Sequence, residues 1–215
     1  MKHIQKGEEP EFFRKWKEGE SPDWNPDWAA FDGAGEVKRN LMEHLIEEQG
    51  GICCYCNREL RDNDFHIEHF RPKDGNRYPE IALDYDNLLI SCQRQLQPRE
   101  PRHCGMKKDN WFEEEVTVSP LDQDCETRFE YLEDGRIRAI DNDPDADETI
   151  QHLGLDIDKL RELRKAAFEA ALEDIDTLGT NELRDLINVY RQRSPVTNGF
   201  QPFCVAIIQV LESLL

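Results

Sequence analysis

No stretch of this 215-residue chain is apolar for long enough to cross a bilayer. The longest apolar run, Phe203-Cys-Val-Ala-Ile-Ile, falls far short of the roughly 20 residues a spanning helix needs. Nor does an apolar segment follow the lysines of Met1-Lys-His-Ile-Gln-Lys-Gly-Glu-Glu, so no secretory signal is read there and a cytoplasmic location is expected. Positive charge is scarce: 27 Lys and Arg stand against 46 Asp and Glu, a net charge of −19 and the reverse of an ordinary phosphate-binding surface. Internal repeats and low-complexity tracts are missing too. What remains is the composition of a globular protein, 38% hydrophobic and 34% charged, long enough for one sizeable core or for a small catalytic module with a helical appendage. Seven cysteines are an odd number, and without an export signal a reducing compartment disfavours disulfides. Clustered cysteines are therefore read as metal ligands.

The acidity is unevenly spread. From Gly51 to Lys108 ten Lys and Arg face nine Asp and Glu, a net of +1, which leaves 17 against 37 elsewhere. Within that segment Arg71, Lys73, Arg77, Arg94, Arg99, Arg102, Lys107 and Lys108 are available to face a polyanion.

Three regions follow along the chain. Residues 1–50 begin with an arm holding Phe12, Phe13, Trp16, Trp24 and Trp28 among Pro10, Pro22 and Pro26, without a sustained helical or strand period. Its aromatics are expected to cover a core rather than stack on bases. Val37, Leu41, Leu45 and Ile46 then predict a helix from Gly35 to Gln49, stopped by Gly50-Gly51 and leading into the cysteines. Residues 51–112 carry the motifs. In residues 113–215, Arg128-Phe-Glu-Tyr-Leu and Arg136-Ile-Arg-Ala-Ile flank Glu133-Asp-Gly135 and predict a β-hairpin. The acidic stretch from Asp141 to Glu148 lacks the glycine and closing Glu of a calcium loop and reads as a turn and helix start. Helices are predicted near 146–153, 156–178, 180–192 and 203–214, the longest buried along Leu160, Leu163, Ala167, Ala170, Ala171 and Leu172. The fold class is α+β.

Cys53 and Cys56 form a Cys-x-x-Cys knuckle, with Cys92 and Cys104 as a wider second pair. Thiolates hold zinc tetrahedrally, and four of them make a closed site that supports a fold without doing chemistry. Cys54 is read as a bystander, and Cys125 and Cys204 as isolated buried residues. Between the two pairs lie Phe65-His-Ile-Glu-His-Phe-Arg-Pro-Lys73 and Leu83-Asp-Tyr-Asp-Asn-Leu-Leu-Ile-Ser-Cys92. Phosphodiester cleavage needs a base for water and a divalent cation for the developing charge. Glu68 can ligate a hard cation, and His69 titrates near neutrality and can take a proton. On a regular strand His66 and His69 face opposite ways, so His66 is read as a structural histidine.

The wording "CCYC", "HIEHFRPK", "LDYDNLLISC" and "HCGMKK", over about residues 50–111, resembles the PtuB-type HNH proteins of Septu and retron-linked antiphage systems. That resemblance implies a zinc-stapled ββα-metal module, a metal-dependent endonuclease activity, and a Mg²⁺ or Mn²⁺ ion beside the structural zinc. It implies Glu68 as metal ligand, His69 as general base and Asn87 as the residue that braces the His-bearing loop. It also implies a partner ATPase of the PtuA type, with a retron reverse transcriptase and its nucleic acid as further companions. In simpler HNH proteins the last cysteine is followed by a metal-binding His, whereas here His103 precedes Cys104 and Gly105 follows it. The third ligand is therefore open among His103, Asp109 and Asn110, in that order. Two other readings stand beside this one: a zinc-stabilised adaptor that binds a partner without catalysis, and a nuclease that acts alone.

Overall fold

The computed structural model describes residues 1–19, 24–74 and 77–215. Pro22 of the arm lies outside them. The arm is more regular than its sequence suggests, for it contains helices α1 (Glu11–Glu18) and α2 (Trp28–Asp32). Helix α2 is too short to show a 3.6-residue period, and the apolar face of α1, on Phe12, Phe13 and Trp16, spans only about two turns. Instead the ends give them away. Pro10 presets the backbone before α1, and the Asp27 side chain accepts the Ala30 N–H at 2.7 Å at the start of α2. Phe13 and Phe31 are fully buried with ring centroids 5.3 Å apart, so these aromatics do form core.

Helix α3 (Glu36–Glu48) matches its prediction and ends where Gly50 and Gly51 take positive φ. Gly50 is doubly constrained, because a Cβ there would lie 2.5 Å from Phe200 Cδ2. Strands β1 (Phe65–His69) and β2 (Leu88–Cys92) then pair antiparallel, with Ile67 opposite Ile90, Glu68 opposite Leu89 and His69 opposite Leu88. Ile67, Leu88 and Ile90 join Phe13, Phe31, Leu41 and Leu45 in one core, while Leu89 joins the cysteines and the C-terminal helices in a second. The hairpin thus lies between two cores. Period-two alternation sends Glu68 toward the cysteine side and His69 toward the arm.

A short helix α4 (Gly105–Lys108) follows the last cysteine of the knuckle region. Strands β3 (Phe129–Tyr131) and β4 (Ile137–Ala139) form the expected second hairpin. Helix α5 (Pro144–Leu153) starts two residues earlier than predicted, because Asp143 caps it by accepting the Asp145 and Ala146 N–H groups. Its last carbonyl, on Leu153, accepts the Cys104 N–H at 2.7 Å and ties the helical region to the cysteine cluster. Helix α6 (Asp158–Ala171) is shorter than predicted, since Asp174 adopts a left-handed conformation that breaks the run before a 3-10 turn at Ile175–Thr177. Helices α7 (Thr180–Arg191) and α8 (Cys204–Glu212) complete the chain. No helix among the described residues is long and apolar enough to cross a membrane.

Candidate active site

The cysteine quartet comes together. The sulfurs of Cys53, Cys56, Cys92 and Cys104 all lie within 4.8 Å of one another, each residue buried. A tight turn makes the knuckle: the Cys53 N–H donates to Arg58 O at 2.9 Å, and Asn57 sits at a φ of 61° to let the chain reverse. Cys92 ends β2, and Cys104 precedes α4 at a φ of 53°. Cys56 and Cys92 sulfurs are 3.7 Å apart, close to the edge of roughly 3.8 Å for a tetrahedron with 2.3 Å zinc–sulfur bonds. The four thiols therefore fit a zinc ion. Cys54 is buried but stands outside the quartet, and Cys125 and Cys204 are buried in the helical core.

Beside the quartet lies Glu68, with two differently engaged oxygens. Oε1 accepts the Tyr55 hydroxyl at 3.0 Å and meets the Lys108 ammonium at 3.0 Å. Oε2 faces His66 Nε2 at 3.5 Å. Burial alone would raise the Glu68 carboxyl, but the Lys108 ammonium, with His66 assisting, outweighs it and holds the group below its ordinary value. Glu68 is thus a buried carboxylate in its charged form. Gly105 supplies the space around it, since a Cβ at that position would approach Oε2 to 2.3 Å and His66 Nε2 to 2.7 Å.

His69 occupies the other side of the strand end. Its Nε2 lies 3.0 Å from Ala82 O, and Trp28 stands against it edge-on with ring centroids 4.2 Å apart. A carbonyl can only accept, so Nε2 carries the proton in that bond and Nδ1 is left as the basic nitrogen. Burial lowers the His69 pKa to about 4, well below the near-neutral titration expected from the sequence, so the ring is neutral near pH 7. Glu68 and His69 nevertheless line one small cavity, together with Lys73, Gly105, Asp109 and Asn110.

Asn87 sits behind the loop that follows β1. Its Oδ1 accepts the Arg71 N–H at 2.7 Å, and its Nδ2 donates to Arg71 O and Ile81 O at 3.0 and 3.2 Å. His103 lies elsewhere. Its Nδ1 is 3.3 Å from Cys104 Sγ and 3.7 Å from Cys92 Sγ, its backbone N–H donates to Gln93, and it does not line the cavity that holds Glu68. The cause is local: the positive φ at Cys104 turns the chain between His103 and α4, leaving the imidazole on the thiol side. Of the three residues weighed as third ligand, Asp109 and Asn110 line the cavity and His103 does not.

Lys108 also departs from expectation. Grouped in the sequence with surface cations, it is 1% exposed and donates to His69 O at 2.9 Å besides pairing with Glu68. Sequence reasoning missed Tyr55, Ser91 and Trp28 as well. Ser91 Oγ accepts the Gly105 N–H at 2.9 Å and so fixes the start of α4 against β2. The available signal was adjacency, since Tyr55, Ser91 and Gly105 are each chain neighbours of a quartet cysteine.

The hairpin, the short helix behind it and the thiol cluster define a small module with four thiols placed to hold a metal ion and with an adjacent acid and histidine, residue types that a hydrolytic centre uses. No protein-family model matches the chain. Individual relatives do. A retron Vc95 protein of Vibrio cholerae, named as an HNH endonuclease, is 30% identical over 149 residues, covering 66% of this chain and 70% of the relative. The Septu protein PtuB of Bacillus mycoides is 24% identical over 200 residues, covering 82% and 66%. A retron Ec83 protein of Escherichia coli, also named as an HNH endonuclease, is 32% identical over 99 residues, covering 43% and 37%. The chain belongs to this family of PtuB-type HNH proteins of retron and Septu systems.

Proposed function

We propose that this chain is a metal-dependent endonuclease that hydrolyses phosphodiester bonds, with Glu68 and His69 at its centre, and that it works as the effector subunit of an antiphage complex. The observation that carries the reading is the placement of His69: its Nε2 is bonded to Ala82 O, which leaves Nδ1 as the basic nitrogen, and the residue lines one cavity with the buried Glu68 carboxylate. Nδ1 would take the proton of the attacking water, and the Ala82 carbonyl would steady the imidazolium as it forms. Asn87 keeps that carbonyl in place through its bonds to Arg71 and to Ile81, the residue before it. A divalent cation at the Glu68 carboxylate, Mg²⁺ or Mn²⁺, supplies the charge that stabilises the leaving oxygen when bound. The notch at Gly105 and the carboxylate exposed to it fit such an ion. The zinc assigned to the cysteine quartet would stay structural.

Partner dependence follows from charge. Residues 1–50 carry −5 and residues 109–215 carry −15, which repel a polyanion unless a basic surface neutralises them. A partner ATPase that binds the acidic helices and presents the nucleic acid would do so, with a retron reverse transcriptase and its nucleic acid as a further component. An adaptor without catalysis is the second reading. One observation favours it: Lys108 already neutralises Glu68 within the fold.

The test compares wild type with His69→Ala on DNA and on RNA, with Mg²⁺ or Mn²⁺, alone and with the partner ATPase. A fall of about a hundredfold or more with zinc content retained is expected. Wild-type cleavage in the variant would remove His69 from the mechanism, and a wild type that never cleaves would establish the adaptor.

A further inference from the structure

In simpler HNH proteins the last cysteine is followed by a metal-binding His. Here that residue is Gly105, and nothing larger fits, because its Cβ would collide with Glu68 Oε2 and His66 Nε2. The imidazole of His66 therefore stands where a side chain from position 105 would have projected. His66 and Glu68 are two apart on β1 and share one face of the strand, so no bend is needed to bring them together.

The two Glu68 oxygens are divided between different tasks. Oε1 is held by Tyr55 and Lys108, both at 3.0 Å. Oε2 has His66 Nε2 at 3.5 Å, beyond the usual 2.7–3.2 Å of an N–H···O bond. Two ligands about 2.1 Å from one ion stand roughly 3.0 Å apart in an octahedron and about 3.4 Å apart in a tetrahedron. The observed pair needs a closure of only a few tenths of an ångström to share an ion.

We propose that His66 Nε2 and Glu68 Oε2 form the protein's ligand pair for the divalent cation of the cleavage site, with a histidine from the strand in place of the ligand that follows the last cysteine in simpler HNH proteins. This rests on the nuclease reading for its purpose but not for its geometry. The donor set carries a selectivity. One imidazole nitrogen and one carboxylate oxygen favour Mn²⁺ over Mg²⁺, since Mg²⁺ prefers an all-oxygen shell. Asp109 and Asn110, on the rim of the same cavity, are then outside the direct ligand set.

Binding of Mn²⁺ to the zinc-loaded full chain, measured by electron paramagnetic resonance, tests this without any cleavage step. One Mn²⁺ per chain is expected, with Mg²⁺ a weaker competitor. His66→Gln should lower Mn²⁺ affinity by about tenfold or more with zinc content and melting temperature unchanged, whereas Asp109→Asn should leave affinity near wild type. A wild type that binds no Mn²⁺ at millimolar concentrations, a His66→Gln variant that binds it as well as wild type, or an Asp109→Asn variant that loses it would each overturn the assignment. Cleavage assays on the same proteins, with the partner ATPase present, separate the two claims. His66-dependent Mn²⁺ binding without cleavage would sink the nuclease reading alone. Metal-dependent cleavage intact in His66→Gln would sink the ligand pair alone.

Discussion

Removing the Lys108 ammonium should destabilise the protein far more than a helix-surface lysine would. Lys108 is 1% exposed, pairs with Glu68 Oε1 at 3.0 Å and donates to His69 O at 2.9 Å. Lys108→Met keeps most of the buried aliphatic stem and deletes only the charge. Glu68 is then left as a buried carboxylate with the Tyr55 hydroxyl and His66 nearby, and the His69 carbonyl loses this donor. Breaking a buried pair from one side costs about 3–5 kcal/mol, and for a chain of this size each kcal/mol lowers the melting temperature by about 2–4 °C. A fall on the order of 10 °C is expected in zinc-saturated protein without added Mg²⁺ or Mn²⁺. Glu68→Gln in the Lys108→Met background removes the stranded charge, so the double variant should be less destabilised than the sum of the singles, by about 0.5–3 kcal/mol. Thermal and urea unfolding of all four proteins completes the cycle. A Lys108→Met melting temperature within about 2 °C of wild type, or strict additivity of the singles, would refute the account of Glu68 as a buried, lysine-compensated carboxylate.

Elemental analysis should find about one zinc per chain, lost on Cys53→Ser or Cys92→Ser and kept on Cys54→Ser, with unfolding on strong chelation; equal zinc loss from Cys53→Ser and Cys54→Ser would mean a different knuckle. Asn87→Ala should reduce cleavage less than His69→Ala does, because Asn87 reaches the chemistry only through the loop; equal losses would place it closer to the reaction. A pH-dependent effect is expected at the start of α5. Hydrogen bonds from Arg128 hold the Asp143 carboxyl below its ordinary value. A carboxylate depressed in the folded state contributes stability above its unfolded pKa of about 3.9 and loses it as pH falls through the folded value. Asp143→Asn should therefore unfold more easily than wild type at pH 7 and approach it as the pH drops below about 4; a gap that stayed constant with pH would contradict this.

Elements with a full period were legible in the sequence. Helix α3 carries four apolar residues at helical spacing, and the Cys-x-x-Cys spacing by itself implies a knuckle, so both could be read without coordinates. The second hairpin announced itself through Asp134-Gly135 between two apolar runs. The misses share a physical character. Helix α2 is too short to show a period, the apolar face of α1 spans only about two turns, and α6 stops because Asp174 takes a conformation its composition does not dictate. His103 could be assigned to metal from its type and position, yet its direction depends on a single positive φ at Cys104. Lys108 illustrates the limit of charge counting, since a formal +1 has the same weight in a tally whether it meets a phosphate or a buried carboxylate. Trp28 could be recognised as an anchor but not as the wall of His69, because that contact joins an arm to a strand end far along the chain.

The residues around Glu68 also explain why a zinc that never meets substrate would bear on cleavage. Tyr55 lies between two cysteines of the knuckle, Ser91 precedes Cys92, and Gly105 follows Cys104. Lys108 returns its own N–H to Cys104 O at 2.9 Å. Every group that holds Glu68 Oε1, and the glycine that makes room for Oε2, is thus a chain neighbour of a quartet cysteine or bonded to one. Lys108 also holds the His69 backbone carbonyl, but the His69 ring is anchored differently, through Ala82, Trp28 and the Asn87-braced loop, on the side of the arm core. Each half of the candidate site is supported by a different core, and β1 is the element that the two halves share. Loss of a metal from the quartet would release the carboxylate first, while the His69 ring keeps the support of Trp28 and the Ala82 carbonyl.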